Sequence, residues 1–330
     1  MKKRLKILIP IIVGFFFIYL TFELTSPEER ALILGYIGSA KIEFVLTAML
    51  LGASADTIRG LRWQLLSKSL GYKSNKLISI ASVFMCYTSN MAIARSGEFV
   101  RASVLSSYNN IPIGKTLGTI AAERVVDISI SLLILISIWV LQYELIIESL
   151  FDDEVLFYIN DNIGVIVFVV LAFIIVSIIL IKKVKRLKRF FNSILEGLLS
   201  VTKLKSKIIL FVMFSLLIWT CYILAFSVIK FSVPELSVID SNLIFPAFVV
   251  GVYSISLSNH GLGVYPLAIS LFLVNFGINT ELGLTYGWLA WSCQAIITLI
   301  FGALSFFVLP LLNASCLLYT SPSPRDETKS

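Results

Sequence analysis

Six ionisable side chains lie close together in the first half of the chain, within stretches that are otherwise largely apolar. Three fall in the segment SNMAIARSGEFVR and three in AAERVVD, which begins a long apolar run: Arg95, Glu98, Arg101, Glu123, Arg124 and Asp127. Because each charge at the centre of a membrane costs about 2.5–3.5 kcal/mol, we expect these three arginines and three carboxylates to pair. Arg95 and Arg101 would offer guanidinium groups to a lipid phosphate, while the carboxylates hold those groups and exchange protons with them.

The same residues also fit a second interpretation, a neutral lattice of structural salt bridges at the cytoplasmic membrane surface. Glu123 and Asp127 are four residues apart and therefore share one helix face, as either interpretation requires. Arg59 and Arg62, near the end of an earlier apolar run, are further candidates for contact with a headgroup. We expect their long side chains to extend towards the membrane surface.

Two interruptions of the apolar pattern carry glycine and polar residues. Gly97 permits a sharp turn just before the first acidic residue of the pattern, and Asn259, His260, Gly261 and Gly263 interrupt the second half. The glycines allow the backbone to turn and a ligand to approach closely. The single histidine fits either a proton relay or a satisfied polar cap, and the second is the more usual role.

Composition decides the environment of these residues. Of 330 residues, 58% are hydrophobic and only 14% are charged, and the mean hydropathy is +0.92. A soluble globular chain carries about 25% charged residues, so a soluble fold and a nucleic-acid-binding module are both excluded. The four cysteines form no CxxC or metal-binding pattern, and we expect neither a metal nor a cofactor.

Several apolar runs are long enough to cross a membrane, which takes about 20 residues. The spans predicted on this basis are Leu5–Leu24, Ile42–Leu66, Thr116–Leu141, Ile163–Ile181, Ile208–Ile229 and Leu284–Pro310. Between the first two, the sequence SPEE resembles a helix N-terminus with a capping box, and it predicts a surface helix over Glu28–Lys41.

The distribution of charge fixes the orientation of the spans. Of the 27 lysines and arginines, 22 lie in the N-terminus and in residues 59–76, 95–124 and 182–207, whereas residues 142–162 hold six acids and no base. Basic loops remain in the cytoplasm, so the N-terminus is predicted to be cytoplasmic in a multi-pass protein of the cell (inner) membrane.

Two apolar segments do not fit a simple crossing. With cytoplasmic loops on both sides, Leu77–Ala94 must either enter the membrane and return or stay buried in the protein. Leu243–Leu257 breaks at residues 259–263 before Val264–Gly277. The predicted fold class is therefore an all-α, polytopic membrane helical bundle with two inverted repeats, each containing a re-entrant or broken helical segment. The halves cover about residues 1–141 and 163–313 of a membrane domain over residues 1–313. Two broken segments in corresponding places predict a central cavity.

The last residues differ in character from the rest of the chain. The segment CLLYTSPSPRD, from Cys316 to Asp326, resembles the translation of a common sequencing adapter. We therefore expect residues 316–330 to be a non-native tail.

Three segments resemble the lysylphosphatidylglycerol synthase transmembrane-region family of flippase-like integral membrane proteins. They are RGLRWQLLSKSLG from Arg59, ARSGEFVRASVLSSYNNIPIGKTLGTIAAERVVD from Ala94, and NHGLGVYP from Asn259. The middle segment, with Arg-x-Gly-Glu-x-x-Arg followed by Glu-Arg-x-x-Asp, is the most specific. The chain departs from the family at Ile93–Ala94, where a Pro-Gly is usual. In the second motif, Asn259, His260 and Gly261 stand where the family has Pro-Gly-Gly, and Pro266 stands where it closes with Glu.

This resemblance implies a helical membrane domain that moves an aminoacylated phospholipid or a polyprenyl-linked sugar lipid between leaflets. We therefore predict a translocator whose partners are membrane lipids. The alternatives are a membrane subunit or scaffold of a lipid-modifying aminoacyl- or glycosyltransferase. An enzyme is disfavoured because the sequence contains no Ser-His-Asp arrangement, metal-ligand cluster or phosphate-binding glycine loop.

Overall fold

The computed structural model describes residues 2–141, 201 and 204–312 of the chain. Over these residues the protein is helical and has no strand, which confirms the predicted all-α fold class. Ten α-helices fall in these ranges: α1 (Lys2–Glu23), α2 (Pro27–Gly38), α3 (Ile42–Ser69), α4 (Lys76–Ala92), α5 (Gly97–Asn109), α6 (Ile113–Leu141), α7 (Ile208–Val228), α8 (Ser241–Ser254), α9 (Val264–Val274) and α10 (Thr280–Leu312).

The short helix α2 begins as the sequence predicts. The side chain of Ser26 accepts a hydrogen bond of 3.1 Å from the backbone N–H of Glu29. In return the Glu29 carboxylate accepts one of 2.6 Å from the backbone N–H of Ser26. Pro27 occupies the first helical position, where its missing N–H costs nothing. The helix ends at Gly38, slightly before the predicted end at Lys41.

Three described helices are long and apolar enough to cross a membrane: α3, α7 with the turn that follows it to Phe231, and α10 as far as Pro310. In each, between 28% and 33% of the most apolar stretch is buried, so most of it faces outward, as contact with lipid requires. The predicted spans at residues 5–24 and 116–141 are helical, in α1 and α6, and their crossing stays a prediction. The predicted span Ile163–Ile181 lies outside the described residues.

The predicted segment Leu77–Ala94 does not turn back within itself, because it forms the single helix α4; together with α5 it makes a helical hairpin over residues 76–109, here called hairpin 1. Its two arms, α4 and α5, pack against each other. A hydrogen bond of 2.9 Å from the backbone N–H of Asn75 to Oδ1 of Asn109 joins the start of α4 to the end of α5. The 17 residues of α4 span about 25 Å, less than the ~30 Å of a hydrocarbon core. Because the two arms lie side by side and their outer ends are joined, the chain turns back at residues 93–96.

The interrupted segment of the second half forms hairpin 2, over residues 241–274. Its arms are α8 and α9, and two short 3-10 turns, Ile255–Leu257 and Asn259–Gly261, separate them. The backbone takes positive φ angles at His260 (53°), Gly261 (77°) and Gly263 (71°). These positive-φ residues lie between the two arms and redirect the chain into α9.

The turns of the two hairpins touch each other. Nδ2 of Asn259 donates a hydrogen bond of 3.4 Å to the backbone oxygen of Met91. Next to it, the rings of Tyr87 and His260 have centroids 6.2 Å apart. The two interrupted segments therefore meet at their turns. The inverted relation between the halves stays a prediction, because residues 142–200 lie outside the described part of the chain.

The largest apolar core of the described chain lies among α7, α8, α9 and α10. Tyr286 is fully buried there, and its hydroxyl donates a hydrogen bond of 2.7 Å to the backbone oxygen of Phe226. The helix α3 packs against α4, α6, α7 and α10 and so connects this core to hairpin 1. Its central position allows α3 to bring polar side chains to several neighbouring helices at once.

Candidate functional site

Two arginines of α3 meet the carboxylate of Asp127 on α6. Arg59 donates through Nη1 to Oδ2 of Asp127. Arg62 donates through Nη1 to Oδ1 at 2.7 Å and through Nη2 to Oδ2 at 3.2 Å, so it holds both oxygens. The two arginines are three residues apart on one helix and therefore project from the same face. All three side chains are buried.

Glu123, one turn before Asp127, extends this network to hairpin 1. Its Oε1 lies 3.3 Å from Nε of Arg62, and its Oε2 lies 2.8 Å from Nη1 of Arg101 on α5. The side chains of Arg62, Arg101 and Glu123 are 0%, 2% and 1% exposed, so solvent does not screen these pairs. The five residues joined in this way are here called the charged cluster: Arg59, Arg62, Arg101, Glu123 and Asp127.

The charged cluster holds three arginines and two carboxylates. Several buried polar atoms in it have no hydrogen-bond partner among the described residues: Nε of Arg59, Nε and Nη2 of Arg101, and Oε2 of Glu123, whose contact with Arg101 falls outside hydrogen-bond geometry. A buried donor without a partner costs about 1–3 kcal/mol. The cluster therefore has spare N–H donors that an additional anionic group could satisfy.

The helix α7 closes the charged cluster on one side. Oγ of Ser215 accepts a hydrogen bond of 2.9 Å from Nη1 of Arg62, and the Arg62 guanidinium lies 5.3 Å from the ring centroid of Phe211. The prediction that Arg59 and Arg62 extend towards the membrane surface is therefore wrong, because both side chains are buried. Carboxylates on α6 form ion pairs with both guanidinium groups inside the protein, so neither charge depends on the membrane surface.

The remaining predicted charges lie outside the charged cluster. Nη2 of Arg124 lies 3.0 Å from Oε1 of Glu98, and these two side chains are 34% and 35% exposed. Arg95 is exposed, has a positive φ of 62°, and forms no ion pair with any described residue. Of the two arginines predicted to bind a phosphate, the structure therefore places only Arg101 in the cluster.

A second polar group next to the charged cluster was not predicted as a site. Asp56 of α3 is fully buried, and its carboxylate accepts hydrogen bonds from the hydroxyl of Tyr222 at 2.5 Å and from Nε2 of Gln294 at 3.1 Å. The available signal was an acid inside an apolar run, one turn before Arg59. Acidic residues within a membrane span are usually functional. No feature of the sequence indicates that this acid contacts helices α7 and α10.

Glycines make room at the two backbone breaks. The N–H of Gly97 donates a hydrogen bond of 2.8 Å to Oδ1 of Asn90, and a Cβ at Gly97 would lie 2.7 Å from Nδ2 of the same side chain. At the other break, a Cβ on Gly263 would lie 2.7 Å from the backbone oxygen of Gly14 on α1. The backbone oxygen of His260 accepts a hydrogen bond from the indole of Trp291 at 2.9 Å.

Two further observations concern ligands. Among the described residues, no group of three His, Cys, Asp or Glu side chains is placed to hold a metal. A surface recess of about 520 Å³ lies where α9 leads into α10, beside Glu29 of α2. This recess does not involve any residue of the charged cluster.

Together, the apolar outward-facing helices, the two hairpins that meet at their turns and the buried ionic network define a polytopic helical membrane protein. The sequence profile of the family described as "Lysylphosphatidylglycerol synthase TM region" matches residues 7–302. The chain therefore belongs to this family, as its motifs predict. No solved structure matches the chain.

Two curated relatives are similar to parts of the chain. One is the glycosyltransferase AglD of Haloferax volcanii, 29% identical over 104 residues, which are 31% of this chain and 16% of the relative. The other is the UPF0104 membrane protein MJ1595 of Methanocaldococcus jannaschii, 33% identical over 112 residues, which are 30% of this chain and 33% of the relative. The matches thus span a third or less of each relative's length.

Proposed function

We propose that the protein translocates an anionic phospholipid or a polyprenyl-linked glycolipid between membrane leaflets, with the charged cluster as the site that receives the phosphate. The observation that carries this proposal is Arg101. Its guanidinium is 2% exposed, it sits on a hairpin rather than a long span, and two of its N–H groups have no partner among the described residues. A phosphate oxygen is the natural acceptor for such a group.

The physical task is to replace the hydration of the headgroup. A phosphate entering hydrocarbon loses its hydrogen bonds to water, and a buried polar group without partners costs several kcal/mol. The spare donors of Arg59 and Arg101 offer a replacement, and Arg62 remains held by two carboxylates. Binding would therefore leave the rest of the network intact.

The comparisons support the broader class of this proposal. The family is named after the membrane region of a phospholipid-modifying synthase. One relative is named as a glycosyltransferase. The names fit a role in lipid or glycolipid metabolism, whereas lipid movement itself is our inference from the charged cluster. We propose the cell membrane as its location, with the N-terminus in the cytoplasm, on the basis of the basic loops.

The test uses Arg101→Lys in proteoliposomes containing fluorescent phosphatidylglycerol or a labelled polyprenyl phosphate sugar. Lysine keeps the positive charge opposite Glu123 but replaces the planar fork and its two spare N–H groups by one ammonium. We expect the rate of leaflet exchange to fall by about tenfold or more, the effect of losing about 1.4 kcal/mol or more of transition-state stabilisation, while the unfolding midpoint in detergent changes little.

The matched control is Arg30→Lys on α2, a residue that contacts the backbone oxygen of Thr25 and lies outside the charged cluster. Its exchange rate should equal that of the wild type. If Arg101→Lys also exchanged lipid at the wild-type rate, the buried network would be a structural lattice only. The proposal would then lose its main support.

A second candidate function is that of a membrane subunit or scaffold for a lipid-modifying transferase. The similarity to a named glycosyltransferase favours it. This alternative predicts that lipid exchange is absent from proteoliposomes of the purified chain. It also predicts that substitutions on the outward faces of the spans abolish function in cells, while Arg101→Lys does not.

A further inference from the structure

A buried acid next to the charged cluster has no counterion of its own in the part of the chain that the structure describes. Asp56 is 0% exposed, and within the described parts of the chain its carboxylate forms no ion pair. The nearby Arg59, one turn along α3, directs its guanidinium at Asp127 instead. An isolated buried carboxylate is costly in its ionised form, and such groups generally take up a proton.

The partners of Asp56 suit a group that changes its protonation state. Both are able to donate or to accept: the hydroxyl of Tyr222 by rotating its hydrogen, and the amide of Gln294 by turning over. Arginine and lysine lack this property, since they only donate. The ionised acid is satisfied by two donated bonds, and the protonated acid can donate to either partner. Neither state leaves a buried polar group without a partner.

The place of Gln294 depends on a glycine of α3. A Cβ added at Gly52 would overlap the amide oxygen of Gln294, and the next turn of α3 carries Asp56. Gly52 thus allows a polar side chain of α10 to lie against α3 inside an apolar region. Two elements, α7 and α10, therefore supply polar contacts to this one carboxylate.

Among the described residues, few charged or titratable groups surround Asp56. Arg59 on its own helix, Tyr222 on α7 and Tyr87 on α4 interact with it electrostatically. From α10 it meets only the neutral Gln294. Asp127 on α6 is linked to Asp56 through Arg59, with which it forms an ion pair. The Arg59 guanidinium lies 6.0 Å from the Tyr222 ring centroid and connects the acid to the charged cluster.

We infer that Asp56 is a proton-binding site whose occupancy is coupled to the binding of an anionic phosphate group at the charged cluster. With Asp56 ionised, three arginines face three carboxylates and the buried region is neutral. With Asp56 protonated, the same region carries one excess positive charge, which a phosphodiester anion neutralises. By linkage, proton uptake strengthens anion binding, and anion binding strengthens proton uptake to the same degree.

This inference rests on the proposed function for its transport readout. Wild-type protein, Asp56→Asn and the control Glu43→Gln are compared in proteoliposomes from mildly acidic to mildly alkaline pH. Glu43 is an exposed acid on the same helix. We expect the rate of lipid exchange by wild type and by Glu43→Gln to fall by about fivefold or more as pH rises, which is the usual size of a coupling between two binding sites. Asp56→Asn, which mimics the protonated acid, should show no such dependence. If Asp56→Asn kept the wild-type pH dependence, the inference would be wrong.

A second measurement separates this inference from the proposed function. Infrared difference spectra of the detergent-solubilised protein report the carbonyl band of a buried protonated carboxyl group without any lipid transport. We expect a band that disappears at alkaline pH, is missing in Asp56→Asn, and grows when the phosphodiester glycerophosphoglycerol is added at constant pH. Tyr222→Phe, which keeps the ring but removes one partner, should move the band and serves if Asp56→Asn does not fold. A wild-type protein without this band, or a band that glycerophosphoglycerol leaves unchanged, would overturn the inference even if lipid exchange is observed. The reverse result, a responsive band without lipid exchange, would reject the proposed function alone.

Discussion

The ion pairs of Asp127 give the largest stability effect that we expect from a single substitution. Asp127 accepts from both Arg59 and Arg62, and all three side chains are buried. Asn keeps the shape and one acceptor oxygen but loses the charge. Removing one member of a buried ion pair costs about 3–5 kcal/mol, because the remaining charge stays buried without compensation. Since Glu123 still faces Arg62, we expect Asp127→Asn to lose about 3–5 kcal/mol rather than more.

The free energy of unfolding can be measured by titrating dodecyl sulfate into mixed micelles and following tryptophan fluorescence. The matched control is Glu98→Gln, which breaks the half-exposed pair with Arg124 and should cost about 1 kcal/mol or less. Replacing Arg59 by Gln in the Asp127→Asn background should recover part of the loss, since one uncompensated charge is removed. Equal losses for Asp127→Asn and Glu98→Gln would refute the assignment of Asp127 to a buried network.

Two further predictions concern the first hairpin. Gly97→Ala places a methyl group against Asn90 and the backbone before the turn, so it should lower the free energy of unfolding by about 1–3 kcal/mol in the same titration. The control Gly114→Ala, whose methyl group would have nothing within 4 Å, should cost less than about 0.5 kcal/mol. Similar losses at both glycines would contradict the packing of the turn. Arg95→Gln should leave stability within about 0.5 kcal/mol, because the side chain is exposed and has no described ion pair; a larger loss would show that Arg95 is paired in the membrane.

Local signals in the sequence predicted the helical elements well. The capping box at Ser26 and Glu29 specifies the start of α2 through bonds between residues three apart. The interruptions at Gly97 and at residues 259–263 were visible because glycine and polar residues break an apolar pattern. Each of these features depends on neighbours within one turn, so the order of residues alone contains the information.

The partners of the buried charges depend on contacts between distant parts of the chain. Arg62 reaches Glu123 and Asp127 on α6 and Ser215 on α7, the last of them 153 residues away. Spacing predicts that Glu123 and Asp127 share a helix face, and it leaves open which arginine that face meets. The choice depends on the packing of α3 against α6 and α7, which no local pattern specifies.

The difference in partners changes the chemistry that the site can perform. Charge counting over residues 89–101 and 121–127 pairs three arginines with three acids and predicts a neutral set. In the structure, Arg95, Arg124 and Glu98 lie outside the buried network, and Arg59 and Arg62 enter it. The buried set then has one more arginine than carboxylates, and its balance depends on an acid that the counted segment does not contain. By the coupling inferred above, such a site binds an anion more strongly while that acid holds a proton, whereas the neutral set expected from the sequence would have no such preference.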